Sequence, residues 1–259
     1  MAWYYRLVNL LVHLFFLAYY IFAPPYLLAG IDPTKIQNGF MAGTSSGEQN
    51  TTSFQRHSAK NDEFGGGSKF LTLWNLIFQT FYFFWCCVTD LVLTSGSRSP
   101  IAKKFVAFRD WFLAAVAFPI GTLVVSMFWA IWAVDRELVF PKELDEFFPP
   151  WLNHVLHTTV LPILLIEMFL VQHKLPSRKV GVMGTLFVGL SYLLWVLYLG
   201  YAMDIWVYPV LKVLSGFYFG LFLTVSAFFL LGLYIVGEKI SEFCWRGYPD
   251  SDYEFTKID

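Results

Sequence analysis

Two histidines stand one turn apart, His154 and His157, in WLNHVLHTTVLP, at the head of an apolar run long enough to cross a bilayer. Asn153, Thr158 and Thr159 add polarity within the same turns. A second run, residues 70–89, carries Thr72, Asn75 and Gln79 at i, i+3, i+7 spacing, which sets them on one helix face. Polar groups inside a span are expensive and mark function more often than they do in a soluble core. Thr72 lies about two residues inside its helix start and His157 about six, so their depths differ by only ~6 Å if both helices enter from one side. A hydroxyl and an imidazole at one depth are the parts of a nucleophile and base pair. Asn75 and Asn153 are the candidates to orient His157, and Asn75 or Thr158 to donate to an oxyanion. Spacing alone does not choose between them.

Plainer explanations compete. Serine and threonine in membrane helices usually bond back to their own helix carbonyls. The His154 and His157 pair would also suit a metal or haem. A metal wants a third strong ligand, and Glu167 lies about 80° round the helix and two to three turns deeper. A haem held between helices needs a facing histidine, and His13 alone qualifies. No metal and no cofactor is therefore expected. His57 and His173 fall in loops.

The elements that must position these residues are all apolar. The chain of 259 residues is 57% hydrophobic and 20% aromatic but only 14% charged, well below the roughly 25% of soluble domains. Six runs, residues 7–29, 70–89, 111–134, 151–171, 180–203 and 213–236, each match a hydrocarbon core about 30 Å thick. The fold class is all-α: one membrane domain, a bundle of six transmembrane helices, with a flexible loop at 30–69 and a polar tail at 237–259. Pro24 and Pro25 are expected to kink or end the first span. Gly181, Gly184 and Gly189 read as close helix packing. Three cysteines make no disulfide framework, and a net charge of −1 points away from nucleic acid.

Charge sets the orientation. Arg98, Lys103, Lys104 and Arg109 lie between the second and third runs, and Lys174, Arg178 and Lys179 between the fourth and fifth. Residues 135–150 are acidic instead. Positive loops stay inside, so both termini are expected in the cytosol of a multi-pass protein of the plasma membrane or endomembranes. The glycosylation pattern at Asn50 falls on the outer side in this arrangement. Asp90, Arg109 and Asp110 read as cytosolic helix ends, with Asp110 capping the third span. Arg136 is a candidate partner for a substrate carboxylate at the outer interface.

Four blocks carry a resemblance: KFLTLWNLIFQTFYF, FRDWFLAAVAFPIGTLVVSMFWAIWAVDREL, PPWLNHVLHTTVLPILLIEM and DIWVYPVL. In order and spacing they resemble the androgen-induced gene protein family, which also includes the androgen-dependent TFPI-regulating protein. The resemblance runs from about residue 69 to 237 and implies six spans. It implies a hydrolase of fatty-acid esters of hydroxy fatty acids that depends on a threonine and a histidine, at Thr72 and His157 here. His154 lies outside the matched position. The first loop is longer than the family link. The implied substrate is a lipid drawn from the bilayer, and no oligomeric state is implied. The rival class is a non-catalytic transporter or signalling protein with a polar intramembrane cavity. The lack of charged residues at the membrane midplane and of internal repeats speaks against a transporter.

Overall fold

The apolar runs fold as helices in the computed structural model of the chain, which describes residues 2–29, 69–95, 99–146 and 148–247. In chain order these are α1 (Ala2–Ala29), α2 (Leu71–Thr94), α3 (Pro100–Val134), α4 (Pro150–His157), α5 (Val160–Leu170), α6 (Arg178–Ala202), α7 (Pro209–Val213) and α8 (Gly216–Cys244). Among the described residues there is no strand. Helices α1, α2, α3, α6 and α8 are long and apolar enough to cross a membrane, and the bent pair α4–α5 is so too when taken together as one broken span. A helix bonds its own backbone, which hydrocarbon requires of any span. On α6 and α8, Phe187, Leu194, Phe217 and Phe228 point outward, a surface suited to lipid and not to water. The protein is a polytopic all-α membrane bundle.

Several bounds depart from the sequence expectation. The third helix begins at Pro100, not at 111, because Ser99 caps it through the amide of Ala102 and proline fits the first helical position. Arg109 and Asp110 therefore lie inside a helix, and Asp110 is no cap. The last long helix starts at Gly216, in a left-handed conformation, and runs to Cys244, past the expected tail boundary at 237. Helix α1 continues beyond Pro24 and Pro25 to Ala29. Residues 30–68, with the Asn50 pattern and His57, and residues 248–259 lie outside the described residues.

Two prolines shape the interior. Pro119 has no N–H for the carbonyl four residues back, and α3 opens into a π-turn over Leu113–Ala117. That orphaned carbonyl, of Ala115, accepts from Thr185 Oγ1 of α6 at 2.7 Å, and the carbonyl of Ala117 accepts from Gln79 Nε2 of α2 at 2.9 Å. Neighbouring helices thus satisfy the break and are tied to it. Pro162 acts likewise one span later: α4 ends at His157, α5 starts at Val160, and the two are bent by 44°. The core between these breaks is Tyr82, Phe83, Phe118, Leu152 and Leu164, all essentially buried. Glycine lets α6 come close, since a Cβ at Gly184 would lie 2.9 Å from that of Ala115 and one at Gly189 2.7 Å from Leu230 Cδ2.

Candidate active site

Thr72 is the second residue of α2, and nothing from its own segment caps that helix: the residue before it, Phe70, has no side chain to accept. Two tyrosines do so from a distance. The Leu71 amide donates to Tyr192 Oη at 2.9 Å and to Tyr208 Oη at 3.1 Å, and Tyr192 donates to the carbonyl of Lys69 at 3.0 Å. This fixes the first turn of α2, and with it Thr72, against α6 and the start of α7. The N-terminus of a helix is the positive end of its dipole, so Thr72 stands where developing negative charge is favoured.

His157 comes from the last turn of α4, just before the break. Its Nε2 lies 3.0 Å from Thr72 Oγ1, although 85 residues separate the two in the chain. Its Nδ1 faces Asn153 twice, at 2.6 Å from the side-chain Oδ1 and 3.2 Å from the backbone oxygen. A backbone carbonyl can only accept, so Nδ1 carries the proton and Nε2 presents a lone pair to the threonine hydroxyl. Phe128 lies face-on to the imidazole with centroids 3.8 Å apart and planes within 10°, and Trp129 Nε1 donates to the His157 carbonyl at 2.8 Å. The ring is therefore held in plane, in tautomer and in position. Asn153 and His157 are both buried, and Thr72 is half-buried.

The remaining predicted residues divide. Asn75 is buried one turn below Thr72, and its carboxamide oxygen accepts from Gln79 Nε2 at 2.9 Å. The donors of its NH2 group are thus on the side of the amide not used by Gln79. Thr158 is drawn elsewhere: its hydroxyl pairs with Nδ1 of His154 at 3.0 Å, and His154 is exposed and stacked on Trp129. Arg136 binds Asp145 at 2.8 Å and lies over the Trp132 ring. Tyr192 and Tyr208 were not marked by sequence reasoning, although Tyr208 sits in one of the four blocks.

Asp90, Arg109 and Asp110, expected at helix ends, prove to be interior, together with three further ionisable residues. Glu167, Asp110, Arg109 and His13 are at most 1% exposed, Asp90 4% and His173 6%. They form a second polar cluster toward the other end of the bundle, about 27 Å along α2 from Thr72 at the level of Asp90. His173 does lie in the segment between α5 and α6, as expected, but it is buried there in the cluster.

An all-α bundle with a broken span that aims an asparagine-held histidine at a threonine hydroxyl defines a membrane protein with a built polar site. The chain belongs to the FAR-17a/AIG1-like protein family, which it matches over residues 40–242. It is 41% identical over 200 residues to the human androgen-induced gene 1 protein, covering 75% of this chain and 84% of that one. It is 39% identical over 193 residues to the mouse androgen-dependent TFPI-regulating protein, covering 73% and 83%. The human androgen-dependent TFPI-regulating protein is 35% identical over 181 residues, covering 70% and 78%. No solved structure matches the chain significantly.

Proposed function

We propose that this chain is a membrane-embedded hydrolase of lipid esters, acting on fatty-acid esters of hydroxy fatty acids, with Thr72 as nucleophile and His157 as base. The observation that carries the reading is the hydrogen-bonded line Thr72, His157, Asn153. Thr72 Oγ1 attacks the ester carbonyl while His157 Nε2 takes its proton. The tetrahedral oxyanion is met by the positive first turn of α2 and by the Asn75 amide. Collapse breaks the ester bond, and the imidazolium returns its proton to the departing hydroxy fatty acid. Water, deprotonated by the same imidazole, then cleaves the acyl-threonine, releases the fatty acid and restores the hydroxyl. The sum is one ester and one water to one acid and one alcohol. Asn153 holds the proton on Nδ1, so Nε2 is free to accept at the start of each step and stays aimed at the hydroxyl, and Thr158 has no part.

A site within the first turn of a span suits a substrate that keeps its carboxylate at the headgroups and its ester just below. With basic loops inside, both termini are cytosolic and the site opens toward the outer leaflet. The test is hydrolysis by the purified chain in detergent. A fatty-acid ester of a hydroxy fatty acid should yield fatty acid and hydroxy fatty acid in equal amounts, and no turnover of any lipid ester would overturn the reading. Asn153→Ala should lower kcat by about 10–10²-fold with KM little changed, a part of what the base supplies. Asn153→Asp, which still accepts from Nδ1–H, should restore most of it. An unchanged kcat in Asn153→Ala would remove its orienting role.

A further inference from the structure

The second cluster takes no part in the ester chemistry, and its charges close on one another. Its centre is the Glu167 carboxylate, fully buried in α5. His13 of α1 places Nε2 2.8 Å from Glu167 Oε2 and Nδ1 2.5 Å from Asp90 of α2. His173, in the segment after α5, places Nδ1 2.8 Å from Asp110 of α3. Its Nε2 lies 3.4 Å from Glu167 Oε1, an ion-pair separation without hydrogen-bond geometry. Arg109 of α3 meets Asp110 at 2.9 Å. Neutral donors complete the set. Tyr82 of α2 donates to Glu167 Oε1 at 2.8 Å, the Cys86 thiol lies 3.9 Å from the same oxygen, and the Lys174 amide donates to Asp110 at 2.9 Å.

A neutral imidazole has one N–H and one lone pair, and an ionised carboxylate can only accept. Each ring here presents both nitrogens to carboxylates, so a neutral ring would aim a lone pair at an anion. With both rings protonated, every nitrogen faces its acid with an N–H. The carboxylates of Asp90, Asp110 and Glu167 then stand against His13, His173 and Arg109, the balance that buried charge requires. Helix α1 depends on this network most, since among its described side chains only His13, Phe16 and Tyr20 are buried. His173 also lines a cavity of about 420 Å³, together with Lys174, Arg178 and, from α8, Glu238 and Glu242. The charges around that cavity pair among themselves, Arg178 with Glu238 and Lys239 with Glu242. The cavity gives protons a way between His173 and the water on the side of the basic loops. Burial alone would weaken the hold of His173 on its proton, but Asp110 and Glu167 outweigh it and keep the ring above the ordinary histidine pKa.

We propose that His13 and His173 are both imidazolium ions in the folded chain, and that with Asp90, Asp110, Glu167 and Arg109 they form a proton-held lock across α1, α2, α3 and α5 that weakens as pH rises. A histidine that gains carboxylate partners on folding binds its proton more tightly in the folded chain than in the unfolded one. Its contribution is complete below the ordinary value near 6.5 and is lost as pH rises through the folded value. Loss of the proton from His13 turns a lone pair toward Asp90 or Glu167, and loss from His173 turns one toward Asp110 or Glu167. Either leaves a buried negative charge without its partner.

The test uses the full chain in detergent, carrying an affinity tag without histidine and labelled in its histidine rings for nitrogen NMR. At about pH 8 an ordinary histidine is only about 3% protonated. Two rings of this chain should still carry a proton on both nitrogens, and His13→Gln and His173→Asn should each remove one of them. Thr72→Ala should leave both, which separates the lock from the ester chemistry. Because the histidine variants can fail to fold, the wild-type spectrum decides by itself, and fewer than two such rings would overturn the proposal. The lock is read from equilibrium unfolding between about pH 7 and 8, below the ordinary thiol range. The unfolding constant should rise by up to about tenfold per pH unit for each of the two histidines, about a hundredfold for both. A constant that stays flat or falls with pH would overturn the proposal as well, since the two protons would then not hold the fold.

Discussion

Thr72→Ala and His157→Ala should each lower lipid-ester turnover by about 10³–10⁶-fold, and the double variant should cost little more than either alone. The argument is geometric. The hydroxyl and Nε2 lie 3.0 Å apart with the imidazole tautomer fixed from behind, so neither group retains its role once the other is gone. Groups that act as one unit are grossly non-additive, whereas two independent contributors would multiply. Thr72→Ser should retain measurable turnover, since it keeps the hydroxyl and loses one methyl. The check is steady-state kinetics on purified chains whose elution profile matches wild type. Multiplicative losses would show that Thr72 and His157 do not work together.

The largest effect on stability is expected at Glu167. Glu167→Gln keeps the shape but removes the charge that faces His13 and His173 and accepts from Tyr82. Removing one partner of a buried charged network usually costs about 3–5 kcal/mol, because the others are left without compensation. In a chain of marginal net stability, that is a large part of the whole. Thermal unfolding in detergent, followed by tryptophan fluorescence, should show a clearly lower midpoint for Glu167→Gln and none for Thr72→Ala, which lies at the other end of the bundle. An unchanged midpoint in Glu167→Gln would mean that the cluster contributes little to holding α1, α2 and α5 together.

The span pattern was legible because hydrocarbon imposes a length and an apolar composition that few other solvents do. The meeting of Thr72 and His157 was also legible, since both sit near the head of spans that enter from one side. Between the two candidates for orienting His157, sequence could not decide. The structure puts Asn153 on Nδ1 and gives Asn75 to Gln79. Position i−4 to His157 was the available signal, as it shares a helix face. Thr158 looked equally close, but the helix break after His157 turns it toward His154 instead. That break and the π-turn in α3 were signalled by Pro162 and Pro119, whose missing N–H groups orphan a carbonyl four residues earlier.

The Glu167 cluster was not legible, for a different reason. Its members come from α1, α2, α3, α5 and the segment after α5, with His13 and Glu167 separated by 154 residues. Asp90, Arg109 and Asp110 fall near the ends of apolar runs, where a charge ordinarily meets water or a helix terminus. Only the extension of α3 back to Pro100 turns the last two inward. The tyrosine caps on α2 escaped notice likewise, because a cap is sought in the residues just before a helix and these come from 121 and 137 residues away.

The central claim is that Thr72 is an activated nucleophile. The most direct measurement is covalent labelling of the membrane-embedded chain with a fluorophosphonate, followed by peptide mass mapping. The account predicts one adduct on the Thr72 peptide in wild type, and none there in Thr72→Ala or His157→Ala. Labelling that persists in Thr72→Ala, or an adduct that maps to another residue, would contradict it.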